Sequence, residues 1–126
     1  MACAAALASI EVIEEEGILE NVRQLGKYFM DRMEKMKAEH PIVGDVKGKG
    51  LLLGIELVKD KETKEPFDEA GKLVYQGAFR KGLAWIPAGH ILRMSPPLII
   101  DEYYADMGMT MIEESIAEVE KKFGYV

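Results

Sequence analysis

The residues His90-Ile-Leu-Arg93-Met-Ser-Pro-Pro97-Leu place one permanent cation inside an otherwise apolar stretch. A guanidinium flanked by Ile91, Leu92, Met94 and Leu98 either turns to solvent across an alternating strand or pairs with an anion. Pro96 and Pro97 stiffen the backbone on its far side, because each ring locks its own φ and restricts the residue before it. The chemistry such a platform supports is recognition: a planar, forked donor held in register meets a planar acceptor such as a carboxylate. An edge-strand arginine that snorkels to water has the same pattern, so periodicity alone leaves both readings of Arg93 open.

Other reactive side chains offer less. His40 has no second His, Cys or carboxylate cluster beside it in the chain and reads as a solvated cap of the helix that ends at His40-Pro41. The glycines of Lys47-Gly48-Lys49-Gly50 invite a phosphate-loop reading. A Walker loop needs Gly-Lys-Ser/Thr leading into a helix, and a dinucleotide fingerprint needs Gly-x-Gly-x-x-Gly between strand and helix. Gly48 and Gly50 instead precede a strand, so they read as turn or bulge residues. Lys59, Lys61 and Lys64 sit in a charged run and Lys47 and Lys49 flank a turn glycine, settings that do not desolvate an amine. No catalytic, cofactor-binding or metal-ligating set emerges.

The elements that must position Arg93 follow from the hydrophobic period. Ala2 to Glu16 is alanine-rich with Leu7, Ile10 and Ile13 at helical spacing, and it opens without a capping side chain, as a cut segment would; Gly17 supplies a left-handed stop. From Leu19 to Glu39, Val22, Leu25, Phe29, Met33 and Met36 form one amphipathic stripe. The period then becomes alternating from Val43 to Val58, which predicts a hairpin with Leu51, Leu53, Ile55 and Leu57 on one face and Leu52, Gly54, Glu56 and Val58 on the other. Lys59 to Pro66 is a polar surface loop, after which Asp68 is expected to cap a helix bearing Ala70, Leu73, Val74, Gly77 and Ala78, stopped by Gly82. Leu83 to Ile86 is a short strand candidate, Pro87-Ala-Gly89 a turn and the Arg93 stretch a returning strand. Tyr75 and Trp85 read as packing residues, and Asp101 caps a last helix with Met109, Ile112, Ile116, Val119 and Phe123 as its stripe. The predicted fold is α+β, a small and mainly antiparallel sheet covered by helices, in one domain over residues 1–126.

Composition bounds the partners. A net charge of −6, with both signs interleaved, argues against binding nucleic acid or an anionic membrane by bulk electrostatics. The lone Cys3 and the lack of a charged-then-apolar leader or a long apolar run point to a cytoplasmic protein. One asparagine, Asn21, and two glutamines, Gln24 and Gln76, beside abundant Lys and Glu lean toward a thermophile.

Three stretches carry a resemblance: Ala2-Cys-Ala-Ala-Ala-Leu-Ala, Val46-Lys-Gly-Lys-Gly50-Leu-Leu-Leu-Gly-Ile-Glu-Leu57 and Leu92-Arg-Met-Ser-Pro-Pro-Leu98. In that order they resemble the C-terminal small domain of the class III pyridoxal-phosphate aminotransferases, the group of 4-aminobutyrate, ornithine and acetylornithine aminotransferases and some amino-acid racemases. The resemblance implies the small domain of a fold-type I enzyme that moves an amino group between an amino acid and a 2-oxo acid. It implies pyridoxal phosphate in the parent enzyme and none bound by this chain alone, since the family's Schiff-base lysine and pyridine-facing aspartate belong to a large domain without counterpart in residues 1–126. It further implies partners in that large cofactor-binding domain and in a second copy of the enzyme, a homo-oligomer, with the alanine-rich first helix as the sticky surface. Arg93 matches the position where a small-domain arginine receives the substrate carboxylate. A free-standing dimerisation module of the same fold is the alternative.

Overall fold

A computed structural model describes residues 1–86 and 89–126. Among these residues the order is α1 (Ala2–Glu15), α2 (Ile18–Glu39), β1 (Val43–Lys49), β2 (Leu52–Leu57), α3 (Asp68–Arg80), β3 (Ile91–Met94) and α4 (Glu102–Phe123). The three strands form one antiparallel sheet in the order β1-β2-β3. The predicted α+β architecture is therefore present.

Alternation decides which face the helices cover. Val46, Leu53, Ile55, Leu57, Leu92 and Met94 are buried in one core with Phe29, Met33 and Met36 of α2, Val74 of α3 and Met109, Ile112 and Ile116 of α4. The opposite face carries Lys47, Lys49, Leu52 and Arg93, all exposed. Gly50 makes the β1–β2 turn at φ +59°, a conformation that favours glycine. The bulge lies not at Gly48 but between Val43 and Asp45, where the register shifts. Val58 departs from its expected outward face: it lies beyond β2, bridges to Pro66 and is fully buried.

Three further expectations are corrected. Leu83–Ile86 forms no strand, so the second hairpin does not exist; Trp85 instead stacks on Tyr75 at 6.1 Å and donates its indole N–H to the Tyr75 carbonyl at 3.3 Å. The expected turn at Pro87-Ala-Gly89 has its first two residues outside the described ones. Asp68 is the first residue of α3 and makes no capping bond, because its carboxylate is engaged by His90. His40 does end α2, but its side chain is not solvated. Its Nδ1 lies 2.7 Å from Glu120, a carboxylate only 2% exposed that also accepts the Ile42 amide at 3.3 Å. The partner comes from α4, 80 residues along the chain.

Helix α1 stands apart from this core. None of its residues is buried, and Leu7, Ile10 and Val12 are exposed, as the expectation of an uncovered apolar surface requires. Helix α4 is stitched to α2 by Arg32, which ion-pairs with Asp106 and with Glu113, and by the Tyr28 hydroxyl, which donates to Asp106. Tyr28 foremost, and the positive charge of Arg32 after it, hold the Asp106 carboxyl below the usual carboxylate range.

Two outcomes follow. A folded-state pKa below the unfolded one contributes stability that is present above the unfolded value and lost as pH falls through the folded one. Chemical denaturation should thus show the protein losing stability below about pH 4, with Asp106→Asn flattening that acid limb and salt weakening the difference. In α3, a Cβ on Gly71 would stand 1.9 Å from the Gly89 carbonyl oxygen and 3.1 Å from His90 Cα. Gly71→Ala should force α3 and the β3 approach apart and cost about 1–3 kcal/mol of unfolding free energy; an unchanged denaturation midpoint would refute that packing.

Candidate functional site

Arg93 lies on β3, the edge strand, paired with Gly54 of β2. Its neighbours Leu92 and Met94 are buried at 3% and 8% exposure, so the strand's alternation turns Arg93 to the open face. Of the two readings left open by periodicity, outward orientation is thus settled and pairing is not. Among the described residues no carboxylate comes within 4.0 Å of its guanidinium. The nearest acid on that face, Glu56, is taken by Lys47 at 3.1 Å and approached by His90 at 4.0 Å. A charged fork therefore stands on a rigid strand with its donors available.

Three contacts fix that strand. Before β3, the Asp68 carboxylate accepts the His90 backbone N–H at 2.9 Å and contacts His90 Nδ1 at 3.1 Å, while Gly71 lets α3 approach this segment. Along β3, Leu53 to Glu56 pair with Met94 to Ile91. After it, the Asn21 side-chain amide of α2 donates to the Leu98 carbonyl at 2.8 Å and the Ile100 carbonyl at 3.1 Å, holding the turn that Pro97 closes by accepting from the Ile100 amide. Asn21, Asp68 and Glu56 were not singled out as site-building residues from sequence. The lone asparagine of a chain is a signal that could have marked Asn21; nothing local marks the other two.

Two hollows meet at Arg93. One is an apolar cavity of about 300 Å³ between the 83–86 segment, the prolines and α4, with Trp85, Pro97, Tyr104 and Met109 in its wall and Arg93 at its rim. The other is a shallow depression of about 400 Å³ on the open sheet face, bounded by Lys47, Lys49, Leu52, Gly54 and Arg93. Both are lined mostly by apolar surface, and the second also has Glu56 and Ile91 in its lining.

None of the lysines whose pKa departs from the ordinary range is shifted in the direction that covalent capture of a pyridoxal aldehyde needs. An imine-forming lysine must shed its proton easily, which calls for a lowered pKa. Lys37, Lys47 and Lys59 are instead held above the usual lysine range, each first by a hydrogen bond to a carboxylate, that of Asp45, Glu56 and Glu65 respectively. Among the described residues no group of His, Cys, Asp and Glu is placed to hold a metal ion, and no helix is long and apolar enough to cross a membrane.

Comparison with known proteins gives the setting of this site. A leucine/methionine racemase of Thermococcus litoralis is 48% identical over 124 residues, which cover 96% of this chain and 28% of the racemase. A taurine–pyruvate aminotransferase of Bilophila wadsworthia is 40% identical over 129 residues, again 96% of this chain and 28% of that enzyme. The PMP-bound aminotransferase structure from Vibrio fluvialis superposes with a TM-score of 0.87 at 33% identity, covering 93% of this chain and 26% of that one. The chain thus spans little more than a quarter of the length of the curated relatives it matches. The family model for class III aminotransferases matches residues 1–116, and the chain belongs to that family.

Proposed function

We propose that this chain is the small domain of a pyridoxal-phosphate-dependent class III aminotransferase and that Arg93 binds the carboxylate of the amino-acid substrate. The observation that carries the reading is the exposed guanidinium on β3, whose open-face acid neighbour Glu56 is already held by Lys47. The cofactor and its lysine come from the larger part of the enzyme, which supplies the amino-transfer chemistry when bound. What this domain contributes is orientation. Arginine stays charged at every working pH and donates two parallel hydrogen bonds, so it sets the rotation of the substrate as well as its position. Lysine would keep the charge and lose the fork. Exposed Leu7, Ile10 and Val12 of α1 supply apolar surface for packing against the rest of the enzyme and within a homo-oligomer, which works in the cytoplasm. A racemase of the same family is the second reading, favoured by the 48% identity with the leucine/methionine racemase. Arg93 would have the same role there, because racemisation and transamination both begin with an amino acid held by its carboxylate.

Two measurements test this. In the full-length enzyme, Arg93→Ala should lower kcat/KM for carboxylate-bearing substrates by about tenfold to a few hundredfold, as expected for lost hydrogen bonds to a charged group worth about 1.5–3 kcal/mol. Cofactor occupancy and melting temperature should hold, Arg93→Lys should recover only part of the loss, and an amine without a carboxylate should be affected less. Equal losses for both substrate types would return Arg93 to a surface role. The 126-residue chain alone, titrated with pyridoxal phosphate, should develop no imine absorbance that survives dilution. A saturable band abolished by replacing a single lysine would place the aldehyde chemistry in this domain after all.

A further inference from the structure

Gly54 occupies the centre of the open sheet face. The register pairs it with Lys47 on one side and Arg93 on the other, so the three stand side by side across the three strands. Strands lie about 4.8 Å apart, which leaves a gap of roughly 10 Å between the Cα atoms of the two cationic residues, with no side chain in it. Leu52 and Glu56, two residues away on the same strand, wall the gap on its other sides.

Nothing within the chain requires glycine there. Gly54 is not among the glycines with positive φ, so its backbone accepts any residue. A Cβ built on it would meet only Ile91 Cγ2, at 3.7 Å, an ordinary contact. The contrast with Gly26 and Gly71 is direct, since there a Cβ would stand 2.7 Å and 1.9 Å from backbone oxygens. A glycine in a strand interior weakens the strand and offers no side chain to pack, and one use of it is to let another group come close. The group that comes close here is chosen by charge. Glu56 and Asp45 approach Lys47 at 3.1 and 3.8 Å, whereas Arg93 has no such partner among the described residues, so the field over Gly54 draws an anion toward Arg93.

Resting on the reading of Arg93 as the carboxylate receptor, we infer that Gly54 is the size filter of that receptor: the substrate carboxylate and the carbon bearing it lie over the bare backbone at Gly54 when they reach the guanidinium. A β-branched side chain at this position would stand beside Arg93, with Cβ atoms about 5 Å apart, in the volume the carboxylate needs. Specificity then comes from a residue that makes no polar contact with the substrate.

The test places Gly54→Val and Gly54→Ala in the full-length enzyme, with Arg93→Ala assayed in parallel. Valine suits a strand and the space is open, so the melting temperature should stay equal or rise. Gly54→Val should lower kcat/KM for carboxylate-bearing substrates by about tenfold or more, mainly through KM, with a smaller loss for an amine lacking the carboxylate. Gly54→Ala should fall between valine and the parent. Equal losses for both substrate classes, or no loss, would overturn the inference. A fall in melting temperature would overturn it too, by showing that a protein segment covers the glycine. The Arg93→Ala arm separates the two failures. If that variant loses carboxylate selectivity and Gly54→Val does not, only the size filter fails; if neither loses it, the reading of Arg93 fails first.

Discussion

The pairing of β3 with β2 is the constraint on which the rest depends. Side chains alternate with a period of two, so a slip of one residue would turn Arg93 into the core and expose Leu92 and Met94. The observed register, Gly54 opposite Arg93 and Ile55 opposite Leu92, is the one that buries both apolar residues of a four-residue strand. Burying a charged guanidinium without a partner costs several kcal/mol, and leaving two large apolar side chains in water costs about 1.5–3 kcal/mol each. The hydrophobic effect thus aims Arg93 outward with no polar contact needed to hold it there.

A strand of four residues on a sheet edge is short for such a task, and the helices secure both of its ends. Helix α3 fixes the approach through the Asp68 carboxylate on His90 and through the absence of a Cβ at Gly71. Helix α2 fixes the departure through Asn21 on the Leu98 and Ile100 carbonyls. Both helices are seated by their own apolar stripes, Ala70, Val74 and Ala78 in one and Leu25, Phe29, Met33 and Met36 in the other. Core packing is in this way transmitted to the position of an exposed side chain, which is what precise recognition of a planar anion needs.

Local pattern made the helices, the first hairpin and the strand that carries Arg93 legible, because each is a matter of period and nearby turn residues. The family likewise showed in three motifs that keep their order along the chain. What local pattern hid are the long-range polar pairs. His40 has no acid beside it in the chain yet rests on Glu120 across 80 residues. Asp68 stands where a cap belongs and instead reaches 22 residues forward to His90. The missing strand at Leu83–Ile86 has a similar cause. Its apolar residues match a strand's composition, but Trp85 stacks on Tyr75 and donates to its carbonyl, which ties the segment to α3.

The kinds of charge the chain holds bear on the role proposed for it. Three lysines are pinned in their protonated form by carboxylates, Lys47 among them on the site's own face. A lysine so held is a poor nucleophile, since its free-amine form is disfavoured. The Arg93 guanidinium is a donor only, with no acceptor atom. The open face carries Lys47, Lys49 and Arg93, with the charge of Lys47 offset by Glu56 and Asp45. Chemistry that must move protons needs groups of the opposite kind, with pKa values near the working pH. On the reading proposed above, a substrate held by Arg93 would keep its orientation while protons move on groups elsewhere in the enzyme.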